Sequence, residues 1–374
     1  MLLILTKRVS QFSELLKKET KPIVAHIWHD RVIYLMISVT CIIVTLYAKS
    51  YGYKAKLSLF AYVSTMQYVV VLTVVFAATI YFFVLIKNRE RRPLLCYWHK
   101  IKKIYHYRAK IIAAFVLLTA LSLFLSSFTT AKAMIPMVKP FQFDQLFYEI
   151  DEWLFIGQAP WEIIHAWFDE PFFTLLTNFF YNLWFFLKWI ILCYFLLAPQ
   201  SKLRRQFLIS WLLCWALLGM VLATLLSSAG PAFVARLDVS NQNYDQLMLL
   251  LQQQHDWLKS HDYFGIWALN IQDILWDSYS NHKEMLGSGI SAMPSLHVSM
   301  AMLMALSMHA VNRYLGYAFY IYGLFILVGS VSLAWHYFID GLVSVVLTIM
   351  IWQLSKFVTD KTWQPNEIEK SDVK

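Results

Sequence analysis

His336 and Asp340 stand four positions apart in SLAWHYFIDG (332–341), and His297 lies in GISAMPSLHVSMA (289–301). On a helix, a separation of four brings two side chains onto one face, one turn apart, so the carboxylate can orient the imidazole. An imidazole held in this way can act as a nucleophile, and a second one can carry the proton for a departing oxygen. His297 and His336 are thirty-nine positions apart, about two bilayer crossings at roughly 20 residues each. That spacing returns both histidines to the same membrane face.

The elements that must position these groups are membrane helices. The 374 residues are 59% hydrophobic and only 15% charged, with a mean hydropathy of +0.52, far from the makeup of a soluble domain. An all-α, polytopic membrane helix bundle is expected. No charged segment followed by a short apolar core and a small-residue cleavage site opens the chain, so no removable signal peptide is read. Cys41, Cys193 and Cys214 fall inside apolar segments and Cys96 in a basic loop, which suggests neither disulfides nor a zinc site. The net charge of +9 is concentrated beside the hydrophobic spans. It therefore reports membrane topology, and no nucleic-acid partner is expected.

About eight spans are predicted, near 32–49, 62–86, 111–131, 172–197, 206–228, 294–312, 315–335 and 338–357. Residues 1–30 read either as an amphipathic segment on an anionic membrane surface or as a frayed tail. Residues 31–109 hold two extra amino-terminal spans and a loop rich in Lys and Arg, and 110–357 a six-helix catalytic domain. A polar tail covers 358–374. The basic loop at 87–110 and Lys202, Arg204 and Arg205 mark the cytoplasm, which places both termini there. Residues 132–171 should lie along the outer interface. The stretch 230–290 should also be external, with amphipathic helices near 244–259 and 264–279.

On this topology three corners meet outside: SSAGPAFVAR (227–236), with Gly230 and Pro231, the start of the sixth span, and the His336 turn. Titratable groups at membrane depth are costly, which makes the cluster a functional site by default. The helix start at Ser295, Leu296 and His297 offers free amides and a positive dipole end to a phosphate. Phosphoryl transfer fits these parts. A neutral His336 oriented by Asp340 would attack phosphorus while His297 protonates the leaving alcohol. Neither a cofactor nor a metal ion is required.

Pro294-Ser295-Leu296-His297 and His336-Tyr337-Phe338-Ile339-Asp340 resemble the second and third motifs of the type 2 phosphatidic acid phosphatase superfamily. The Pro-Ser-x-His form is similar to that of inositol phosphorylceramide synthase and related bacterial membrane proteins. The resemblance covers about 110–357. It implies the same roles for His336 and His297, a phosphorylated lipid substrate with water or an alcohol as acceptor, and a site on the extracytoplasmic face of a bacterial inner membrane. No protein partner is implied. The chain departs from the family at two places. Ser227-Ser228-Ala229-Gly230-Pro231 and Gly329-Ser330 stand where the first motif and the Ser-Arg of the third are found elsewhere, so two phosphate-binding arginines are missing. Arg236 is a candidate substitute.

Other residues carry weaker signals. Lys188, deep in the fourth span, either contacts a lipid phosphate or pairs with a carbonyl, Tyr181 or Asn182. Trp335 and Tyr337 flank the nucleophile, as lipid contacts or as part of an aromatic belt. Asp151 reads as a headgroup or lid contact or as a helix cap. His255, His261 and His282 lack ligand spacing and read as loop histidines. The missing arginines also motivate a different class of function, an inactive relative that binds or transports lipids. The topology makes a direct prediction: a cysteine replacing Ser288 should react with a membrane-impermeant reagent added from outside, and protection of that cysteine would refute an external site.

Overall fold

A computed structural model describes residues 19–281 and 289–363, and these residues form a polytopic helical bundle without strands. Most of the amino-terminal surface segment, the polar tail and His282 lie outside the described residues; residues 19–29 are helical. The amino-terminal spans are α1 (Arg31–Ser50) and α2 (Ala61–Lys87), followed by α3 (Pro93–His106) within the basic loop. Next come α4 (Arg108–Val138), the short α5 (Asp144–Leu154) and α6 (Pro160–Trp167), and α7 (Pro171–Leu197). Then follow α8 (Lys202–Leu225), α9 (Pro231–Leu237), α10 (Asp245–Ser260), α11 (Trp267–Ser280), α12 (Leu296–Val311), α13 (Arg313–Ser332) and α14 (Phe338–Thr362).

Among the described residues seven helices are long and apolar enough to cross a membrane: α1, α2, α4, α7, α8, α13 and α14. The sixth expected span, α12, is an apolar helix of only 16 residues, about 24 Å at 1.5 Å per residue. Ser295 caps its start by accepting a hydrogen bond from the Val298 amide (3.4 Å). Large side chains such as Phe76, Val74, Ile321 and Leu324 are exposed, as expected of a belt that faces lipid.

Two helices run farther than hydropathy indicates. The third span was expected to end at 131, but α4 continues to Val138 and carries Lys132 on its wall. A lysine stops a hydropathy window, yet a helix continues through it when the ammonium turns into a polar interior. Likewise α8 starts at Lys202, so Arg204 and Arg205 belong to its first turns. Inside α8, Cys214–Leu222 widens into a π-helical stretch, a distortion found often at functional sites. A β-carbon on Gly219 in this stretch would lie 2.7 Å from both Leu296 and Phe128, so the bulge is where α8 presses closest to α4 and α12.

Between α1 and α2 the chain is not helical and runs alongside α4. Its amides find hydroxyls there: Lys56 N–H donates to Thr130 (3.3 Å), Ser58 N–H to Ser126 (2.9 Å) and Tyr62 N–H to Ser122 (3.1 Å). Free amides at membrane depth would each cost several kcal/mol, so the Ser and Thr face of α4 stabilises this strap.

At the other end of the bundle, Arg204 donates from Nη1 and Nη2 to Asp30 (2.6 and 2.8 Å) and from Nε to the Phe195 carbonyl (2.9 Å). The pair is buried. Removing one partner of a buried pair leaves an uncompensated charge at a cost of about 3–5 kcal/mol. Arg204→Met should therefore lower the thermal unfolding midpoint of the detergent-solubilised protein clearly, and the double change with Asp30→Leu should recover much of the loss. An unchanged midpoint in Arg204→Met would remove this lock from the account.

Candidate active site

The turn from α13 to α14 is built around backbone groups. Ser330 O accepts from the amides of Trp335 (2.9 Å) and His336 (3.0 Å), reversing the chain after the last turn of α13. The Ser332 carbonyl accepts from His165 Nε2 (3.1 Å) and the Leu333 carbonyl from Gln272 Nε2 (2.9 Å), so α6 and α11 cap α13 from above. On the far side, Asp151 accepts from the amides of Phe338 (2.6 Å) and Ile339 (2.9 Å), the first two residues of α14. Asp340 Oδ2 accepts from the Tyr337 amide (3.0 Å).

That same oxygen lies 3.3 Å from His336 Nδ1, and Asp340 is fully buried. The pair comes together by a different route from the one that the spacing suggests. His336 precedes α14, and Asp340 is the third residue of that helix reaching back over its amino terminus. Helix capping and imidazole orientation thus share one carboxylate. Asp340 also ties in α12, since its carbonyl accepts from the Ser295 amide (3.5 Å). The Ser295 amide is therefore engaged, leaving those of Leu296 and His297 at the helix start.

His297 and His336 meet with ring centroids 6.0 Å apart. His297 lies between the rings of Tyr181 (4.7 Å, stacked) and Trp184 (4.3 Å) of α7, which fix its plane. Both histidines line a cavity of about 490 Å³ whose walls include Phe128, Trp211, Trp215 and Trp335, with Tyr62 and Thr65 contributed by α2. The second amino-terminal span therefore forms part of the cavity wall.

The loop that precedes α9 closes the third side. Asp144 of α5 accepts from the amides of Ala229 (3.0 Å) and Gly230 (2.8 Å) and from the Tyr337 hydroxyl (2.9 Å), joining this loop to the His336 turn. Gly230 has φ +97°, and a β-carbon there would lie 2.9 Å from the Trp335 carbonyl, so only glycine fits. Ser228 holds the approach to α12: its carbonyl accepts from Ala292 N (2.9 Å) and its hydroxyl from Met293 N (3.1 Å). Among the residues expected to touch substrate, His297, His336, Leu296 and Lys188 line the cavity, whereas Gly230, Pro231 and Ser295 stand behind its wall.

Arg236 is not brought into the cavity. It donates from Nη2 to Asp273 (2.6 Å), because α9 turns its last residues toward α11 and the surface. Lys188 makes none of the hydrogen bonds weighed for it; its ammonium sits over the Trp184 ring (4.0 Å), with three further aromatic rings within 5.6 Å. Tyr337 is buried against Asp144 and faces away from the cavity that Trp335 lines. His255 accepts from the Ile266 amide (3.1 Å) and His261 stacks on Trp257 (4.1 Å), both structural placements.

The sequence reading missed Asp144, missed the direction in which Asp151 acts, and missed Lys132. The two aspartates are seven positions apart, one face of an amphipathic helix over two turns, and this was the available signal. Burial raises the Asp144 carboxyl above its ordinary range, against the opposing pull of its amide and hydroxyl donors. Burial likewise pushes Asp151 up to about 7.

A family model described as the PAP2 superfamily matches residues 145–354, more than half of the chain. No curated protein and no solved structure matches it.

The raised value at Asp151 has a definite sign. The protonated form contributes stability that is fully present below the unfolded carboxyl range near 3.8 and is lost as pH rises through about 7. The unfolding midpoint should fall between about pH 4 and 7 and level off above that, and Asp151→Asn should flatten that limb. Asp151→Ala, which removes the cap together with the titrating carboxyl, should cost about 1 kcal/mol above pH 7 and more below it. A limb as steep in Asp151→Asn as in the parent would contradict the assignment.

Proposed function

The chain belongs to the PAP2 superfamily, and from that premise we propose that it transfers the phosphoryl group of a membrane lipid through a phosphohistidine at His336. The observation that carries this reading is the juxtaposition of the His336–Asp340 pair and His297 on one apolar cavity.

Asp340 accepts the Nδ1 proton of His336, so the other ring nitrogen keeps its lone pair for phosphorus. As the P–N bond forms, the bond from phosphorus to the lipid oxygen breaks, and its electron pair leaves on that oxygen. His297 donates a proton to it, becoming neutral. His297 then takes the proton of an incoming water or alcohol, whose oxygen attacks phosphorus while the P–N pair returns to His336. Positive charge arises on His336 in the intermediate, and the buried Asp340 carboxylate stabilises it.

The acceptor decides between a lipid phosphatase and a phosphotransferase of the inositol phosphorylceramide synthase type, and Pro294-Ser295-Leu296-His297 favours an alcohol. Apolar walls suit acyl chains, and the active face is the extracytoplasmic one.

Purified protein should release phosphate from phosphatidic acid, or move a phosphorylated group to an added polyol. His336→Ala should abolish turnover, and His297→Ala should reduce it by about 10²–10⁴-fold. Turnover in His336→Ala equal to that of the parent would exclude the phosphohistidine route.

A further inference from the structure

We propose that Lys132 and Lys188 together hold the phosphate group of the lipid, supplying the positive charge that Arg236 does not. The inference rests on the lipid-phosphate reading above and assigns the part of the site which that reading leaves open.

Lys132 projects from α4 and Lys188 from α7, on walls of the same cavity as His297 and His336. Lys132 lies within electrostatic reach of both histidines, and Lys188 of His297 and of Lys132. No carboxylate lines the cavity among the described residues, and neither lysine has an ion pair or hydrogen bond there. All other cavity-lining residues are uncharged or histidine.

Two partly buried ammonium groups in one acid-free chamber repel each other. Desolvation costs several kcal/mol per ion. The rings around Lys188 return part of this, with the nearest contributing about 2 kcal/mol in a dry setting, while Lys132 has no ring contact. A phosphate dianion seated between them neutralises both. A second observation points to the same ligand class. Tyr181, Trp184 and Trp215 are lining residues of this cavity and more than nine-tenths buried, and the Tyr181 hydroxyl and the two indole N–H groups have no partner. They are donors suited to phosphate or ester oxygens.

Position is set by packing. Gly289, at φ +104°, lies so close that a β-carbon would fall 2.9 Å from Lys132 Cγ, which confines the stem of that side chain. Trp184 touches His297 on one side and carries the Lys188 ammonium on the other. Lys132 lies thirteen positions before the stretch that the family model matches.

Inorganic phosphate is the probe for the test. The full-length protein in detergent is treated with a small permeant lysine-acylating reagent, with and without phosphate, and modification is mapped by mass spectrometry. Phosphate should protect Lys132 and Lys188 and leave the exposed Lys259 unaffected. Unchanged labelling of Lys132 and Lys188 would overturn the proposal. Lys132→Met and Lys188→Met should each raise KM for phosphatidic acid and weaken phosphate inhibition by about tenfold or more, with Lys132→Arg recovering most of the loss. Parent-like inhibition in both Met variants would also overturn it. The two readings fail separately: protection without lipid turnover would refute the proposed activity and keep the anion site. His336-dependent turnover without protection would do the reverse.

Discussion

Backbone that leaves a helix inside a membrane protein must find partners for the amides and carbonyls it frees, and the His336 turn meets that demand with side chains from three other elements and from α14 itself. Asp151 takes the first two amides of α14, Asp340 takes that of Tyr337, and His165 and Gln272 donate to the last carbonyls of α13. These bonds hold the backbone on either side of His336, and Asp340 holds its ring. Short helices over the bundle therefore hold the turn that carries His336, and among them α9 and α11 also line the cavity. The strap between α1 and α2 meets the same demand with the hydroxyls of α4.

Charge follows from that architecture. Carboxylates lie behind the cavity wall, spent on amides: Asp144 on the loop before α9, Asp151 on α14, Asp340 on its own helix start and on His336. Cations lie in front of it. Histidines and lysines thus line the cavity among tryptophan-rich walls while the acids stand outside it, the arrangement on which the proposed lipid-phosphate site rests.

Hydropathy was enough to read the helical bundle, and two four-residue signals were enough to read the His297, His336 and Asp340 constellation. What remained hidden was whatever depended on direction. Lys132 resembles a flanking residue because it interrupts an apolar run, while its role depends on which way a long helix turns it. Arg236 is close in sequence to the loop before α9 and is carried away by the seven residues of α9. Asp144 serves amides 85 and 86 positions downstream and the Tyr337 hydroxyl 193 downstream, and Asp151 serves amides 187 and 188 downstream, separations that no local pattern encodes. Arg204 marked a membrane face by composition and proved to be a buried structural ion.

The most direct test of the account is to mix the protein rapidly with phosphatidic acid carrying a labelled phosphate, quench in alkali and map the label. A phosphoramidate is stable to base and labile to acid, so the account predicts acid-labile label on the peptide containing His336, at higher occupancy in His297→Ala if breakdown of the intermediate is slowed more than its formation. Turnover that never places label on His336, with product phosphate formed in a single displacement, would contradict it.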